Sequence, residues 1–343
     1  MKQILNTLFV TTEGAYLKKE GETVIVKVKK EVKLQLPIHT INGIVCFGRV
    51  LCSPALLGFC GQRQVTISFL SPFGRFLARV TGPTTGNVLL RRAQYAMSDD
   101  PLVAGHVARS ILLGKAGNCR ASLQRFMRDH RDSESIDAIE STVKSLAGLI
   151  NKIQRETDLQ KLRGLEGLIA RKYFTVLPLM VKSQKESFEF GSRSRRPPRD
   201  NFNALVSFIY TLVLHDLNSA LETVGLDPQV GFLHRQRPGR PSLALDIMEE
   251  FRPWLADRLA LSLINLQQIQ ASGFMQTESG GIVMDESTRK SVLVAYQKRK
   301  QETIRHPFIG ETLQIGLLFF TQSLIFSRFI RGDLDGYAPF FWK

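Results

Sequence analysis

Glu166 stands where a helix would want an apolar side chain. In the run Leu159-Gln160-Lys161-Leu162-Arg163-Gly164-Leu165-Glu166-Gly167-Leu168-Ile169-Ala170-Arg171-Lys172-Tyr173-Phe174, a turn of roughly 100° per residue puts Leu159, Leu162, Ala170, Tyr173 and Leu177 on its side. A carboxylate in that stripe is partly desolvated, which is costly unless a cation or a metal meets it; an ion pair with an arginine would serve as well as a metal. Gly164 and Gly167 each weaken a helix by about 1 kcal/mol relative to Ala, so they are expected where a backbone approaches closely. Ser242-Leu243-Ala244-Leu245-Asp246-Ile247-Met248-Glu249-Glu250-Phe251-Arg252-Pro253 is a second such place. Asp246 and Glu249, spaced i,i+3, share a face with Glu250 at its edge. Three acids with no cation among them repel one another, which suits a bound cation better than plain stability; a solvated acidic helix start is the alternative. Pro253 has no N–H for the carbonyl of Glu249, so the helix must bend or open there.

His234 is the third candidate. It follows the anchor Phe232-Leu233 and precedes Arg235, Arg237 and Arg240 in a loop rich in Gly and Pro. Imidazole is a common metal ligand and arginines suit phosphate, although a lone loop histidine is more often a surface residue. His39, His106, His130, His215 and His306 lack such a context; His215-Asp216, on an apolar helix, is the nearest decoy. Together Glu166, His234 and Glu249 offer one nitrogen and two or more oxygens to a hard divalent ion. The chemistry such a set serves is metal-assisted attack on a phosphodiester, in which the ion lowers the pKa of the attacking oxygen and stabilises the leaving one.

The charge of the chain agrees with a phosphate-rich partner. Among 343 residues, 46 Lys+Arg face 31 Asp+Glu, a net charge of +15, and the pI is near 9.9. Each phosphate neutralised by Lys or Arg releases condensed counterions, so nucleic acid is the first candidate partner and an anionic membrane surface the second. Met1-Lys2-Gln3-Ile4-Leu5-Asn6 does not read as a secretory signal. The apolar stretch 315–330, broken by Gln322, Ser323 and Arg328, is too short to span roughly 30 Å of hydrocarbon. No membrane association and a cytoplasmic location are therefore expected. Cys46, Cys52, Cys60 and Cys119 form no C-x-x-C pair and read as buried thiols rather than a zinc site or disulfides.

The elements that must position these groups change character along the chain. Val24-Ile25-Val26-Lys27-Val28-Lys29, Lys33-Leu34-Gln35-Leu36, Ile44-Val45-Cys46-Phe47 and Val65-Thr66-Ile67-Ser68-Phe69 read as strands. A helix over 53–62, with Ser53 as cap and Pro54 at its first position, interrupts them. Gly82-Pro83-Thr84-Thr85-Gly86 marks a boundary. Beyond it the periodicity predicts helices over 88–97, 102–113, 133–155, 159–181, 201–224, 243–270, 286–305 and 310–329, with a short hairpin inside 274–284 and Asp200 as a cap. The stretch 191–199, with four arginines, two prolines and no acid, is predicted as a loop. The expected fold is α+β: an N-terminal β domain over 1–82, a linker over 83–90 and a larger all-α domain over 91–343.

Four stretches, in this order and spacing, resemble the universal integrase family of CRISPR adaptation, the Cas-one family, over essentially the whole chain. They are Leu165-Glu166-Gly167 with Tyr173-Phe174, Arg199-Asp200-Asn201-Phe202-Asn203-Ala204-Leu205, Gly231-Phe232-Leu233-His234, and Leu245-Asp246-Ile247-Met248-Glu249-Glu250-Phe251-Arg252-Pro253. The resemblance implies that the metal triad falls on Glu166, His234 and Glu249, with Asp246 a further acid at the site and Mg²⁺ or Mn²⁺ as cofactor. Pro54-Ala55-Leu56-Leu57-Gly58-Phe59-Cys60 resembles the subtype I-C branch. The family implies a homodimer paired through the β domain, two of which join the small Cas-two protein in a heterohexamer around a double-stranded prespacer. A prespacer 3′-hydroxyl then attacks the border of the CRISPR repeat by transesterification. Arg193, Arg195, Arg196, Arg199, Arg235, Arg237 and Arg240 are candidate phosphate contacts by charge and proximity alone. A structure-selective nuclease using water as nucleophile, and a basic DNA-binding scaffold whose acids only hold helices together, are the competing readings.

Overall fold

The computed structural model of the chain describes residues 7–41, 43–72, 76–83, 88–131 and 135–342. Met1 to Asn6, Thr84 to Gly86 of the expected boundary and the expected start of the 133–155 helix lie outside the described residues. The chain begins with β1 (Thr7–Val10), β2 (Tyr16–Glu20), β3 (Thr23–Val28), β4 (Glu31–Pro37), β5 (Gly43–Phe47), β6 (Leu51–Cys52), α1 (Pro54–Gln62), β7 (Thr66–Leu70) and β8 (Phe76–Val80). These strands make two four-stranded sheets, in the orders β1-β5-β7-β8 and β4-β3-β2-β6. The four expected strands are present; β1, β2, β6 and β8 were not expected. As predicted, Ser53 caps α1, its hydroxyl accepting from the Leu56 N–H at 3.2 Å.

β5 joins the two halves of the molecule. Side chains alternate across a strand, and its pattern Ile44-Val45-Cys46-Phe47 is buried on both faces. Ile44 and Cys46 point into a core formed with β2, β3 and α1, while Val45 and Phe47 pack in the helical core. A strand buried on both faces reads as a continuous apolar run, as this one does.

The C-terminal region is mostly helical: α2 (Val88–Asp99), α3 (Pro101–Asp129), α4 (Ile136–Gln154), α5 (Leu159–Val176), α6 (Asn201–Thr223), α7 (Ser242–Met248), α8 (Arg258–Asn265), α9 (Glu286–Gln301) and α10 (Ile315–Ile330). Two hairpins interrupt it, β9 (Phe274–Gln276) with β10 (Ile282–Met284), and β11 (Thr303–Arg305) with β12 (Thr312–Gln314). The first hairpin was expected. The second replaces the ends of two predicted helices, because β-branched Thr303-Ile304 with Pro307 and Gly310 suits a hairpin better than a helix. α3 runs sixteen residues past its expected end at 113. It tolerates Gly114 and Gly117 because the C-terminal segment packs there: a Cβ at 114 would lie 2.9 Å from Pro339 and one at 117 would lie 3.0 Å from Phe341. The predicted 243–270 helix is three pieces, with a π-helical Arg252–Asp257 between α7 and α8, an opening of the kind expected from Pro253.

α6, not 315–330, is the described helix long and apolar enough to cross a membrane. Phe202, Leu205, Val206, Ile209, Val213 and Leu217 are buried against the surrounding helices, as in a core helix.

Candidate metal and nucleic-acid site

Glu166, His234 and Glu249 come from α5, a loop and the residue closing α7; the two glutamates meet at one buried ammonium, and the histidine stands beside Glu249. Lys115, on α3, ion-pairs with Glu166 Oε1 and lies 2.8 Å from Glu249 Oε2. Its side chain is 7% exposed, Glu249 is fully buried and Glu166 is 27% exposed. Arg252, three residues on, pairs with Glu249 Oε1, and His234 Nε2 lies 3.8 Å from the same oxygen. Burial works against the charge on Lys115, but Glu249 and Glu166 outweigh it and hold its pKa above the ordinary lysine value. Burial likewise opposes ionisation of Glu249, yet Arg252 and Lys115 hold it well below the usual carboxylate range. Glu166 does find a side-chain cation, and that cation is a lysine rather than an arginine.

Asp246 holds the histidine. Its Oδ2 accepts from the Phe232 and Leu233 N–H groups at 2.6 and 3.0 Å, and its Oδ1 from the His234 N–H at 2.9 Å. His234 Nδ1 is 2.6 Å from the same Oδ1. A carboxylate already accepting three N–H groups makes Nδ1 the protonated nitrogen, which leaves the lone pair on Nε2, toward Glu249. Gly231 makes this packing possible: a Cβ there would lie 2.6 Å from Asp246 Oδ2 and from the Ser242 carbonyl carbon.

Glu250 departs from the expected trio of acids. It turns away from Glu249 and accepts from Tyr337 OH at 2.5 Å, Gln322 Nε2 at 2.9 Å and the Phe340 N–H at 2.8 Å. Burial pushes its pKa up to about 8 against these donors. It ties the C-terminal segment to the core. Gly164 and Gly167 meet nothing within 4 Å of a Cβ position; they face outward, and the expected close approach within the fold is absent there.

The predicted arginine loops rim the site. Arg195, Arg196 and Arg199 are exposed in the 191–200 loop, and Arg235 and Arg237 in the loop after His234, where Arg240 is half-buried. Burial first, then Arg237, Asp246, Arg195 and Arg196, perturb Arg240, and the balance lowers its pKa, so the two loops share one positive field. Arg193 differs from its neighbours. It donates to Asn203 Oδ1 and Ser207 Oγ at 2.8 and 2.9 Å and lies over the Tyr210 ring, which makes it a brace for the loop. Asp200 caps α6 through the Asn203 N–H at 2.7 Å, and Asn203 Nδ2 reaches back to Ser192 O at 2.9 Å.

Sequence reasoning missed Lys115, and also Tyr210 and Asp257, joined at 2.7 Å beneath the site. Tyr173 Oη, Arg193 Nε and Arg252 Nε have no hydrogen-bond partner among the described residues, and Tyr173, Arg193, Arg252 and Glu249 belong to the lining of one small cavity. Two carboxylates and an imidazole with an anchored Nδ1 are donors that suit a hard divalent cation. The set is not closed: among the described residues no three His, Cys, Asp or Glu groups stand close enough to hold an ion together, and Lys115 bridges the two glutamates.

The fold and sequence have clear relatives. The chain is 50% identical over 343 residues, all of both chains, to a CRISPR-associated endonuclease Cas1 of Chlorobaculum tepidum. It is 47% identical, again over all of both, to one of Rhodospirillum rubrum. A solved casposase bound to integration product superposes with a TM-score of 0.85 at 19% identity, covering 98% of this chain and 94% of that one, a likeness of fold. The model of the family described as CRISPR associated protein Cas1 matches residues 8–298, and the chain belongs to that family.

Proposed function

We propose that this chain is a divalent-metal-dependent DNA endonuclease and integrase of CRISPR spacer acquisition. The observation that carries this reading is the convergence of Glu166, His234 and Glu249, from three distant stretches, beneath two arginine loops. In this reading Glu166, Glu249 and His234 Nε2 hold Mg²⁺ or Mn²⁺, and Asp246 is a positioning residue that fixes the imidazole. The bound ion supplies a lowered pKa for the attacking oxygen and charge stabilisation for the leaving one. Arg195, Arg196, Arg199, Arg235, Arg237 and Arg240 hold the phosphate backbone against the site. Tyr173 and Arg252, whose Oη and Nε have no partner among the described residues, belong to the lining of the cavity beside Glu249, and a phosphate oxygen is an acceptor that suits such donors.

The finer parts of the reading rest on membership of the family. They are subtype I-C, a cytoplasmic location, pairing of two chains through the N-terminal domain over 1–82, catalysis in the domain over 91–343 after a linker at 83–90, and a heterohexamer of two such dimers with the small Cas2 protein. The reaction is attack of a prespacer 3′-hydroxyl on the repeat border, by transesterification.

Glu166→Ala, His234→Ala and Glu249→Ala should each abolish Mn²⁺-dependent strand transfer while circular dichroism and duplex binding stay near wild type. His234→Ala with full activity would show the triad to be wrongly assigned. The relatives are named endonucleases, which favours hydrolysis with water as nucleophile as a second reading. Duplexes with blocked and free 3′ ends separate the two, because only strand transfer needs the free hydroxyl.

A further inference from the structure

Lys115 reaches the site from a helix outside the four motifs, and nothing in the proposed chemistry requires it. Its ammonium touches one oxygen of Glu166 and one of Glu249, the two carboxylates assigned to the metal. At 7% exposure this is a buried pair, in which removing one partner leaves an uncompensated charge. Arg252 occupies the other oxygen of Glu249, so the two carboxylates are already matched by two cationic side chains.

We infer that Lys115 is the resident counter-cation of the metal site: it holds Glu166 and Glu249 together in the metal-free protein and competes with the divalent ion for the same oxygens. This rests on the metal reading above. A divalent ion entering between the glutamates is repelled by an ammonium at contact distance, so occupancy of Glu166 Oε1 and Glu249 Oε2 by Lys115 disfavours binding of the ion. The arrangement lets the chain keep two neighbouring buried or half-buried acids without a metal, at the cost of weaker metal binding. The displaced ammonium remains beside the cavity lined by Arg193, Arg195 and Arg252, where an anionic phosphodiester oxygen would take it as a donor.

Mn²⁺ binding to the full chain, read from the free-ion electron paramagnetic resonance signal in the absence of DNA, tests the exchange. Lys115→Met keeps the side-chain length without the charge. It should bind Mn²⁺ more tightly than wild type by at least about tenfold, since close charge pairs couple by that much or more. Its melting midpoint should fall without metal and recover with Mn²⁺ by more than the wild-type shift. Lys115→Arg, which keeps the charge, should bind Mn²⁺ near the wild-type affinity. If Lys115→Met destabilises too far, Lys115→Gln, which retains a donor, takes its place and must show the same tightening. Equal or weaker Mn²⁺ binding by the neutral variants overturns the inference, and so does a neutral variant that stays unfolded at saturating Mn²⁺. Wild-type protein that binds no Mn²⁺ defeats the metal reading itself, a result separable from wild type that binds it and a Lys115→Met protein that binds it no better.

Discussion

Each side chain at the candidate site is fixed by another group rather than by its own rotamer. His234 is the clearest case, because Asp246 grips the imidazole and the three N–H groups of the turn that carries it. The geometry leaves no room for a methyl group at Gly231, whose Cβ would sit 2.6 Å from Asp246 Oδ2 and 2.8 Å from the Leu243 N. Gly231→Ala should therefore lower stability by about 1–3 kcal/mol and shift the carboxylate that orients His234. Thermal melting reads the first effect, and Mn²⁺-dependent strand transfer falling further than duplex binding reads the second. A variant with wild-type melting and activity would mean that the turn relaxes freely around the added carbon. Asp246→Asn makes a milder test of the same point: an amide can present its oxygen or its nitrogen to the ring, but it cannot accept all four hydrogens as a carboxylate does. Strand transfer should drop while the fold persists, and an unchanged rate would remove Asp246 from any positioning role.

At the scale of elements, the site depends on pieces whose only task is to hold loops in place. The hairpin β9–β10 lies against the arginine loop: the Ile282 N–H donates to Pro198 O at 2.8 Å, and a Cβ on Gly281 would come within 2.7 Å of Pro197. Gly281→Val should push that loop outward, weakening duplex binding and flattening its dependence on salt as phosphate contacts are lost, with little change in Mn²⁺ affinity. A filter-binding titration at several salt concentrations checks this; an unaltered slope would exclude the loop from the DNA surface. The hairpin itself was legible from Glu278-Ser279-Gly280-Gly281, and so were α1 with its Ser53 cap, α6 with its Asp200 cap and the opening at Pro253. Glu166, His234 and Glu249 drew notice because each broke an apolar pattern or sat in a cationic loop, and the structure puts both glutamates on Lys115 with His234 beside Glu249. Lys115 breaks a pattern in the same way, on the buried face with Ala108, Ile111, Leu112 and Cys119. It escaped notice because the helix was expected to stop at 113, two residues short of it, where Gly114 and Gly117 weaken the local signal. Those glycines answer to Pro339 and Phe341, more than two hundred residues away, and a partner that remote leaves no mark on local periodicity. Glu250 was misread for the same reason, since its partners Gln322, Tyr337 and Phe340 lie far along the chain.

Taken whole, the molecule joins two cores through one sheet, and the polar contacts across that joint carry the decoy histidine. His215, on α6, lies with its Nδ1 3.0 Å from Ser68 Oγ on β7, and its Nε2 would be 3.3 Å from a Cβ on Gly43 of β5. Asp216 turns to Tyr296 OH and Lys300 Nζ, both at 2.7 Å, so the pair is split between two networks and forms no catalytic dyad. Burial pushes the His215 pKa down from 6.5 to about 4; Asp216 works against this, while Lys300 and Arg79 add to it. The sign of the linkage follows. In the unfolded chain the imidazole takes up a proton near its ordinary value, whereas in the fold it stays neutral until about pH 4. Stability from this group is complete above pH 6.5, drains away as the pH falls toward 4, and is gone below that. The loss is at most about 3 kcal/mol at the ordinary exchange rate of pKa for free energy. Carboxylates titrate in the lower part of the same window, so the comparison must be internal: His215→Gln keeps a polar partner for Ser68 and removes the titration. Urea unfolding of the two proteins between pH 7 and 4 should give curves that converge toward the acid end, with the wild type losing more stability than the variant. Parallel curves would mean that water reaches the joint and that His215 protonates there at no cost to the packing of the sheet against α6.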